Sequence, residues 1–177
     1  MGKDKYKKFP KDSIKFLKKY IDNASPTGNE TEGQKLWVNH IKQYVDEYSV
    51  DNYGSVVAVI NPEAKFKVVI EAHSDEISWS VKYITPEGYI HVARNGGVDH
   101  QIAPSMRVYV NGNKGVVKGV FGHPAIHTRK GVDTKISVAS ITVDVGAADA
   151  AEVEKMGIKV GHLITYVDEF EIMNKTS

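Results

Sequence analysis

A histidine and an aspartate stand one residue apart after an apolar run, in the stretch VVIEAHSDEISWSV at residues 68–81. The β-branched start of this stretch predicts a buried strand, and open α/β sheets place their ligand sites in the loops after such strands. A metal-binding imidazole often donates its second ring N–H to a carboxylate, which fixes the tautomer and the ring orientation. His73 and Asp75 are candidates for these two roles. By itself, the H-x-D spacing favours a loop histidine beside a capping carboxylate, so the assignment depends on the rest of the chain.

The other candidate donors are less informative. The sequence has no cysteine, which excludes disulfides and thiolate metal ligands, so any metal would be held by His, Asp and Glu. His123 and His127 have an H-x3-H spacing, but Pro124 argues against the helix that this spacing needs. The remaining histidines are interpreted as structural or turn residues, and motifs such as G-x-S-x-G, H-E-x-x-H and the Walker loop are absent.

Composition and charge limit the partners. The chain is 41% hydrophobic and 25% charged, as is ordinary for a globular protein. It lacks a membrane-length apolar run and a secretory signal, which predicts a cytoplasmic protein without a membrane partner. Residues 1–20 contain eight lysines and two aspartates. Because Ile14, Leu17 and Ile21 recur there at helical spacing, the lysines indicate the solvated face of a helix and no nucleic-acid partner.

The first part of the chain predicts two helices followed by two strands, as in an α/β domain. The predicted elements are a helix from Asp12 or Ser13 to about Asn23, a helix capped by Thr27 or Asn29 with an apolar stripe from Trp37 to Tyr48, a strand from Val56 to Ile60 and a strand from Lys67 to Glu71.

From Ser78 onward the pattern changes to short alternating segments separated by PEG, NGG and NGN turns. Closely spaced segments of this kind are typical of a small antiparallel sandwich or barrel. One helix interrupts them at ADAAEVEKMG, with Gly157 suited to the position after its C-cap. The predicted fold class is therefore α/β plus all-β, with no flexible linker between the two parts.

Several motifs together carry a family resemblance. EAHSDEI resembles the ligand segment of the di-zinc glutamyl or deblocking aminopeptidases, which include the tetrahedral aminopeptidases. SPTGNE, YGSVVAVI, GGVDHQIAPSMRV, GVFGHPAIH, ITVDVGA and MGIKVGH agree with the same family in the same order. The resemblance covers nearly all of the chain. It departs at Ser74 and Ser78, where the family usually has Met and Gly.

The resemblance implies a partial zinc-aminopeptidase α/β domain with an inserted β-barrel dimerisation domain. Residues 1–77 would form the first part of the catalytic domain, residues 78–172 the barrel, and residues 173–177 the start of the return. His73 matches the first metal ligand and Asp75 the catalytic carboxylate. The implied substrates are peptides with a free N-terminus, the cofactors two zinc or cobalt ions, and the assembly a homo-oligomer, from a dimer to a dodecamer.

In the resembled family, a bridging Asp, a Glu-Glu pair, another Asp and a final His follow the barrel, whereas this sequence ends at Ser177. Since a catalytic zinc usually takes three protein ligands, we expect the isolated chain to bind no metal tightly and to lack peptidase activity. The alternative is a non-catalytic oligomerisation or binding module, because the β part has few catalytic groups and small β domains expose strand edges that pair with other chains.

Overall fold

The computed structural model describes residues 9–129 and 135–173. These form two compact units, an α/β unit of residues 9–25, 29–74 and 168–173 and a barrel unit of residues 26–28, 75–129 and 135–167. No described helix is long and apolar enough to cross a membrane. In chain order the elements are α1 (Lys11–Ile21), α2 (Thr31–Ile41), β1 (Glu47–Val50), β2 (Val56–Val59), β3 (Ser78–Ile84), β4 (Ile90–Asn95), β5 (Arg107–Gly112), β6 (Gly115–Gly122), β7 (Thr142–Asp144), α3 (Ala150–Lys155) and β8 (Leu163–Tyr166).

The two predicted helices of the α/β unit are present and pack together. The ring of Phe16 in α1 stacks on the ring of His40 in α2, with 3.8 Å between centroids and 8° between planes. A Cβ at the buried Gly33 would overlap the Oγ of Ser25, so α2 passes the preceding loop at a distance that only glycine permits. The predicted caps of α2, Thr27 and Asn29, are wrong, because the helix begins at Thr31.

A hairpin follows where the sequence predicts continued helix. The apolar stripe extends to Tyr48, but α2 ends at Ile41 and Tyr48 lies in β1. β1 pairs antiparallel with β2, and Val50 faces Val56 across the turn. The Oδ1 of Asp51 accepts hydrogen bonds from the main-chain N–H of Tyr53 at 2.8 Å and of Ser55 at 2.9 Å. This local turn and the cross-strand bonds outweigh the helical periodicity of the side chains.

The strand predicted from Lys67 to Glu71 is wrong. These residues have no regular secondary structure, and Val68, Val69 and Ile70 are 75%, 84% and 94% exposed. A strand exists only where a neighbouring strand satisfies its main-chain groups. Within residues 9–129 and 135–173, no strand pairs with this segment. Its β-branched composition is therefore not sufficient to make it a strand.

The all-β part is a closed six-stranded barrel with the order β3-β4-β7-β6-β5-β8. Every neighbouring pair is antiparallel, and β8 closes the barrel by pairing with both β3 and β5. The predicted segments of residues 78–145 are all present as strands, whereas β8 was not predicted. Closure removes exposed strand edges, so this unit satisfies its own main chain.

The barrel encloses the hydrophobic core. Trp79 is fully buried, its ring lies 5.2 Å from that of Phe121, and its indole N–H donates to the hydroxyl of Tyr166 at 3.1 Å. The predicted helix is α3, and Gly157 follows its C-cap with a φ of +90°. The indole is therefore both buried and hydrogen-bonded, as a buried tryptophan requires.

Candidate active-site residues

The structure places the two candidate residues at the boundary between the units along the chain. His73 belongs to the α/β unit and is exposed, and it lies in the irregular segment that follows residues 67–71. Asp75 belongs to the barrel unit, is half-buried and stands three residues before β3 begins. The two candidate side chains therefore lie in surroundings of different burial.

A threonine hydroxyl holds the carboxylate of Asp75. The Oγ1 of Thr27 donates to the Oδ2 of Asp75 at 2.6 Å, across 48 residues of sequence. A hydroxyl-to-carboxylate distance in this range is typical of a charge-assisted hydrogen bond. The same hydroxyl lies 3.3 Å from the main-chain oxygen of Glu76. Since a hydroxyl has one hydrogen, the shorter bond to the carboxylate is the dominant one.

The main chain around Thr27 is anchored to the start of the barrel. Pro26 and Glu76 form a parallel β-bridge, and the N–H of Thr27 donates to the carbonyl of Glu76 at 3.2 Å. Gly28 then turns the chain with a φ of +87°, a conformation that glycine adopts without strain. Residues 26–28 thus form a bridge and a turn that are hydrogen-bonded within the barrel unit, which explains why Thr27 does not cap α2.

Asn95 at the end of β4 completes this arrangement. Its Nδ2 donates to the carbonyl of Thr27 at 2.9 Å and to the Oγ of Ser78 at 2.9 Å. Ser78 is fully buried and faces Asn95 in the β3–β4 register. The departure of Ser78 from the glycine that the resembled family usually has is therefore accommodated by a hydrogen bond that satisfies its buried hydroxyl.

A metal site is not assembled by the described residues. A catalytic zinc takes three protein ligands, and within residues 9–129 and 135–173 no three His, Cys, Asp or Glu side chains form a group that could hold a metal ion. His127 lies in a short 3-10 helix, Ile126–Thr128, and not in the α-helix that an H-x3-H zinc site would use. His73 and Asp75 alone are therefore fewer ligands than such a site requires.

Two other histidines have structural roles. A ring nitrogen of His100 lies 3.0 Å from the carbonyl oxygen of Ile136. The Nδ1 of His162 accepts from the N–H of Lys159 at 3.1 Å, and its Nε2 lies 3.1 Å from the Oδ1 of Asn113. Both rings connect loops of the barrel unit, in agreement with their interpretation as turn residues.

Three acid–base groups of the α/β unit have shifted pKa values. A hydrogen bond from Lys18 at 2.8 Å, followed by one from the N–H of Phe170 at 2.7 Å, lowers the pKa of Asp22. The same hydrogen bond to Asp22 raises the pKa of Lys18, and burial raises the pKa of Tyr20. These shifts describe a contact that fastens the segment at residue 170 to the end of α1, and they belong to no catalytic group.

Thr27 and Asn95 are the residues that sequence reasoning missed. The sequence pattern predicts Thr27 only as a helix cap and gives Asn95 no role. The available signal was the motif SPTGNE, which belongs to the family resemblance without an assigned role. No spacing rule connects residues 48 or more positions apart, so the contact with Asp75 becomes visible only in the folded chain.

Comparison with known proteins agrees with the resemblance. Residues 54–177 match the model of the M42 glutamyl aminopeptidase family. The lysyl aminopeptidase of Pyrococcus furiosus is 33% identical over 159 residues, which are 88% of this chain and 46% of that protein.

Two solved structures are also similar to this chain over most of its length. A TET aminopeptidase from the marine sediment archaeon Thaumarchaeota archaeon SCGC AB-539-E09 has a TM-score of 0.87 and 27% identity, over 92% of this chain and 46% of its own. PhTET1-12s, a dodecamer, has a TM-score of 0.72 and 25% identity, over 91% of this chain and 47% of its own. The chain thus spans about half the length of the relatives that it matches.

Proposed function

Because the chain belongs to the M42 glutamyl aminopeptidase family, we propose that it is the N-terminal portion of a metal-dependent aminopeptidase, with His73 as a metal ligand and Asp75 as the carboxylate beside it. The observation that supports this proposal is the family match over residues 54–177, which includes both side chains. The family membership expected from the motifs is confirmed. The role of each residue and the domain division at residues 77 and 172 stay proposals.

The proposed substrates are peptides with a free N-terminus. Two bound zinc or cobalt ions would supply an activated water for hydrolysis of the first peptide bond. His73 would contribute one imidazole nitrogen to this pair of ions. Asp75 would accept the second ring N–H and so fix the tautomer and raise the basicity of the ligand. The hydrogen bond from Thr27 to Asp75 supports this assignment, because it holds the carboxylate in one orientation.

The decisive experiment compares two polypeptides. One is the 177-residue chain and the other is the product of the complete reading frame, each assayed on aminoacyl p-nitroanilides with zinc or cobalt and with a chelator. We expect no chelator-sensitive hydrolysis by the chain alone, because its described residues assemble no three-ligand site. We expect chelator-sensitive hydrolysis by the complete product.

Two variants assign the activity to the proposed ligand. In the complete product, His73→Ala should abolish metal-dependent hydrolysis, whereas His91→Ala, which changes a half-buried histidine of β4, should not. Hydrolysis by the 177-residue chain would contradict the proposed division of the site. An inactive complete product, or equal activities of the two variants, would contradict the aminopeptidase assignment.

We also propose that the chain assembles into homo-oligomers, with peptides as its other partners and the cytoplasm as its location. The support is the dodecameric PhTET1-12s, a structural neighbour at a TM-score of 0.72. Sedimentation velocity of the complete product would test the assembly. A sharp species larger than a monomer is expected, and a monomer at all concentrations would contradict it. Cell fractionation would test the location.

A further inference from the structure

We propose that Thr27 is a positioning residue for Asp75: its hydroxyl fixes the orientation of the carboxylate that stands beside the metal-ligand histidine. The inference rests on the proposed function for its catalytic consequence. The geometry on which it depends lies entirely within the barrel unit, in residues 26–28, 75–78 and 95. Its experiments are therefore arranged so that the two proposals can fail separately.

The hydroxyl is directed at the carboxylate and not mainly at the neighbouring main chain. The bond from Thr27 Oγ1 to Asp75 Oδ2 is 2.6 Å long, against 3.3 Å to the carbonyl of Glu76. A carboxylate is the stronger acceptor, since hydrogen bonds to a charged group are shorter and about twice as strong as neutral ones. The bond therefore favours one rotamer of Asp75.

The donor can do this because its own main chain is held from two sides. The N–H of Thr27 binds the carbonyl of Glu76, and the carbonyl of Thr27 accepts from Asn95. Asn95 is in turn paired with the buried Ser78 at the first residue of β3. Both anchors are barrel residues, so the hydroxyl is placed by the most completely packed part of the chain.

A purely structural role for this hydroxyl is the competing explanation, in which it fastens residues 26–28 to the barrel. The main-chain bridge of Pro26 with Glu76 and the bond from Asn95 already do so without the hydroxyl. Thr27 is also exposed, so its removal leaves no buried polar group without a partner. Loss of the hydroxyl should thus weaken the constraint on the carboxylate while the segment stays in place.

The consequence for a metal site follows from general chemistry. A carboxylate that orients a metal-bound imidazole is effective when its own orientation is fixed, and loss of such an outer-shell partner typically weakens metal affinity or activity about 10-fold to 100-fold. Thr27 stands one step further out, because it orients the group that orients the ligand. We expect its loss to reduce zinc affinity toward the lower end of that range, about 10-fold.

The first experiment tests the positioning in the 177-residue chain without metal or substrate. Thr27→Val removes the hydroxyl at nearly constant side-chain shape, and Thr27→Ser keeps the hydroxyl. The matched control is Thr128→Val. Thr128 is an exposed threonine of the barrel unit, and its hydroxyl donates to the carbonyl of Ala125 at 2.9 Å. The measurements are the two Hα–Hβ couplings and the carboxyl 13C shift of Asp75, together with the thermal unfolding of the barrel.

The expected result is a fixed Asp75 rotamer, with two unequal couplings, in the wild type, in Thr27→Ser and in Thr128→Val. In Thr27→Val the couplings should average and the 13C shift should move, while the unfolding temperature changes no more than in the control. A fixed rotamer in Thr27→Val would overturn the proposal. A lower unfolding temperature without averaging of the couplings would also overturn it, in favour of the structural role.

The second experiment tests the consequence in the complete product, by competition for zinc against a chromophoric chelator. Thr27→Val should bind zinc about 10-fold more weakly, and Thr27→Ser should restore the affinity. If His73→Ala leaves zinc affinity unchanged, the proposed function fails, while the couplings still decide the role of Thr27. If His73→Ala abolishes binding and Thr27→Val does not weaken it, the function stands and the positioning role is overturned.

Discussion

The barrel unit buries its apolar residues to a much greater extent than the α/β unit does. In the barrel, six strands close on themselves around a core in which Trp79, Val108 and Ile164 are fully buried. In the α/β unit, α1 has no buried residue and α2 buries only Gly33. The run at residues 68–70 is 75% to 94% exposed.

The difference shows what each kind of architecture needs from the rest of a chain. An antiparallel barrel obtains all its hydrogen bonds from neighbouring hairpins and from closure, so a short stretch of sequence suffices. An apolar strand of the kind predicted at residues 67–71 requires partners on both edges and layers on both faces. No described strand provides them, and the segment stays irregular and exposed.

The largest expected effect is a loss of folding stability, which is measured by comparing variants of the two tryptophans. Trp79→Ala removes a fully buried indole from the barrel core, which should lower the free energy of unfolding by about 3–5 kcal/mol. Trp37→Ala, in the half-buried face of α2, should cost less because less surface returns to water. Chemical denaturation followed by circular dichroism measures both variants. The remaining tryptophan of each variant reports the other unit by fluorescence, and equal losses of stability would contradict the contrast between the units.

An intermediate effect concerns self-association through the exposed apolar run. Val69→Lys places a charge at a position that is 84% exposed, so the free energy of unfolding should change by less than about 0.5 kcal/mol. Association of the 177-residue chain, measured by light scattering against concentration, should fall, because a contiguous apolar surface of this kind promotes contacts.

The matched control for this effect is Val160→Lys, at a barrel-unit position that is 63% exposed. It stands between lysine and glycine and not in an apolar run, so it should leave association unchanged. A wild-type chain that stays monomeric at high concentration, or equal scattering by the two variants, would show that the apolar run at residues 68–70 does not promote self-association.

The smallest effect is a pH dependence in the α/β unit. The pKa of Asp22 lies below its ordinary value of 3.8, first because of the hydrogen bond from Lys18 and then because of that from Phe170. A carboxyl with a lowered folded-state pKa contributes stability above its ordinary pKa, and the contribution is lost as the pH falls through the folded-state value. We therefore expect the protection factor of the Phe170 amide, which corrects for the pH dependence of intrinsic exchange, to fall as the pH drops below the ordinary pKa of the carboxyl.

The variant Asp22→Asn should show fast exchange of the Phe170 amide already at neutral pH, because the charged acceptor is gone. The control Asp12→Asn changes an exposed aspartate in the first turn of the same helix and should keep the wild-type exchange. A protection factor of the Phe170 amide that stays constant as the pH falls in the wild type would remove the role assigned to the carboxylate of Asp22.

Much of the fold was predictable where the relevant interactions are local. The helix α1, the strand β2, the barrel strands up to β7, α3 and the glycine after it follow from periodicity and turn residues. The errors have a common cause, since the end of α2, the strand β1 and the predicted strand at residues 67–71 each depend on what pairs with the main chain. Side-chain pattern reports which face is apolar, and it contains no information about whether a partner is present.

The candidate site likewise has features that local sequence predicts and features that only the fold determines. The sequence by itself determined the family and made His73 and Asp75 candidates, because ordered motifs and a two-residue spacing are local features of the chain. Only the tertiary structure decided that the carboxylate of Asp75 is held by Thr27 and, through the main chain, by Asn95. The physical reason is distance along the chain: a hydrogen bond across 48 residues has no pattern in sequence, and it depends on the fold that brings both partners together.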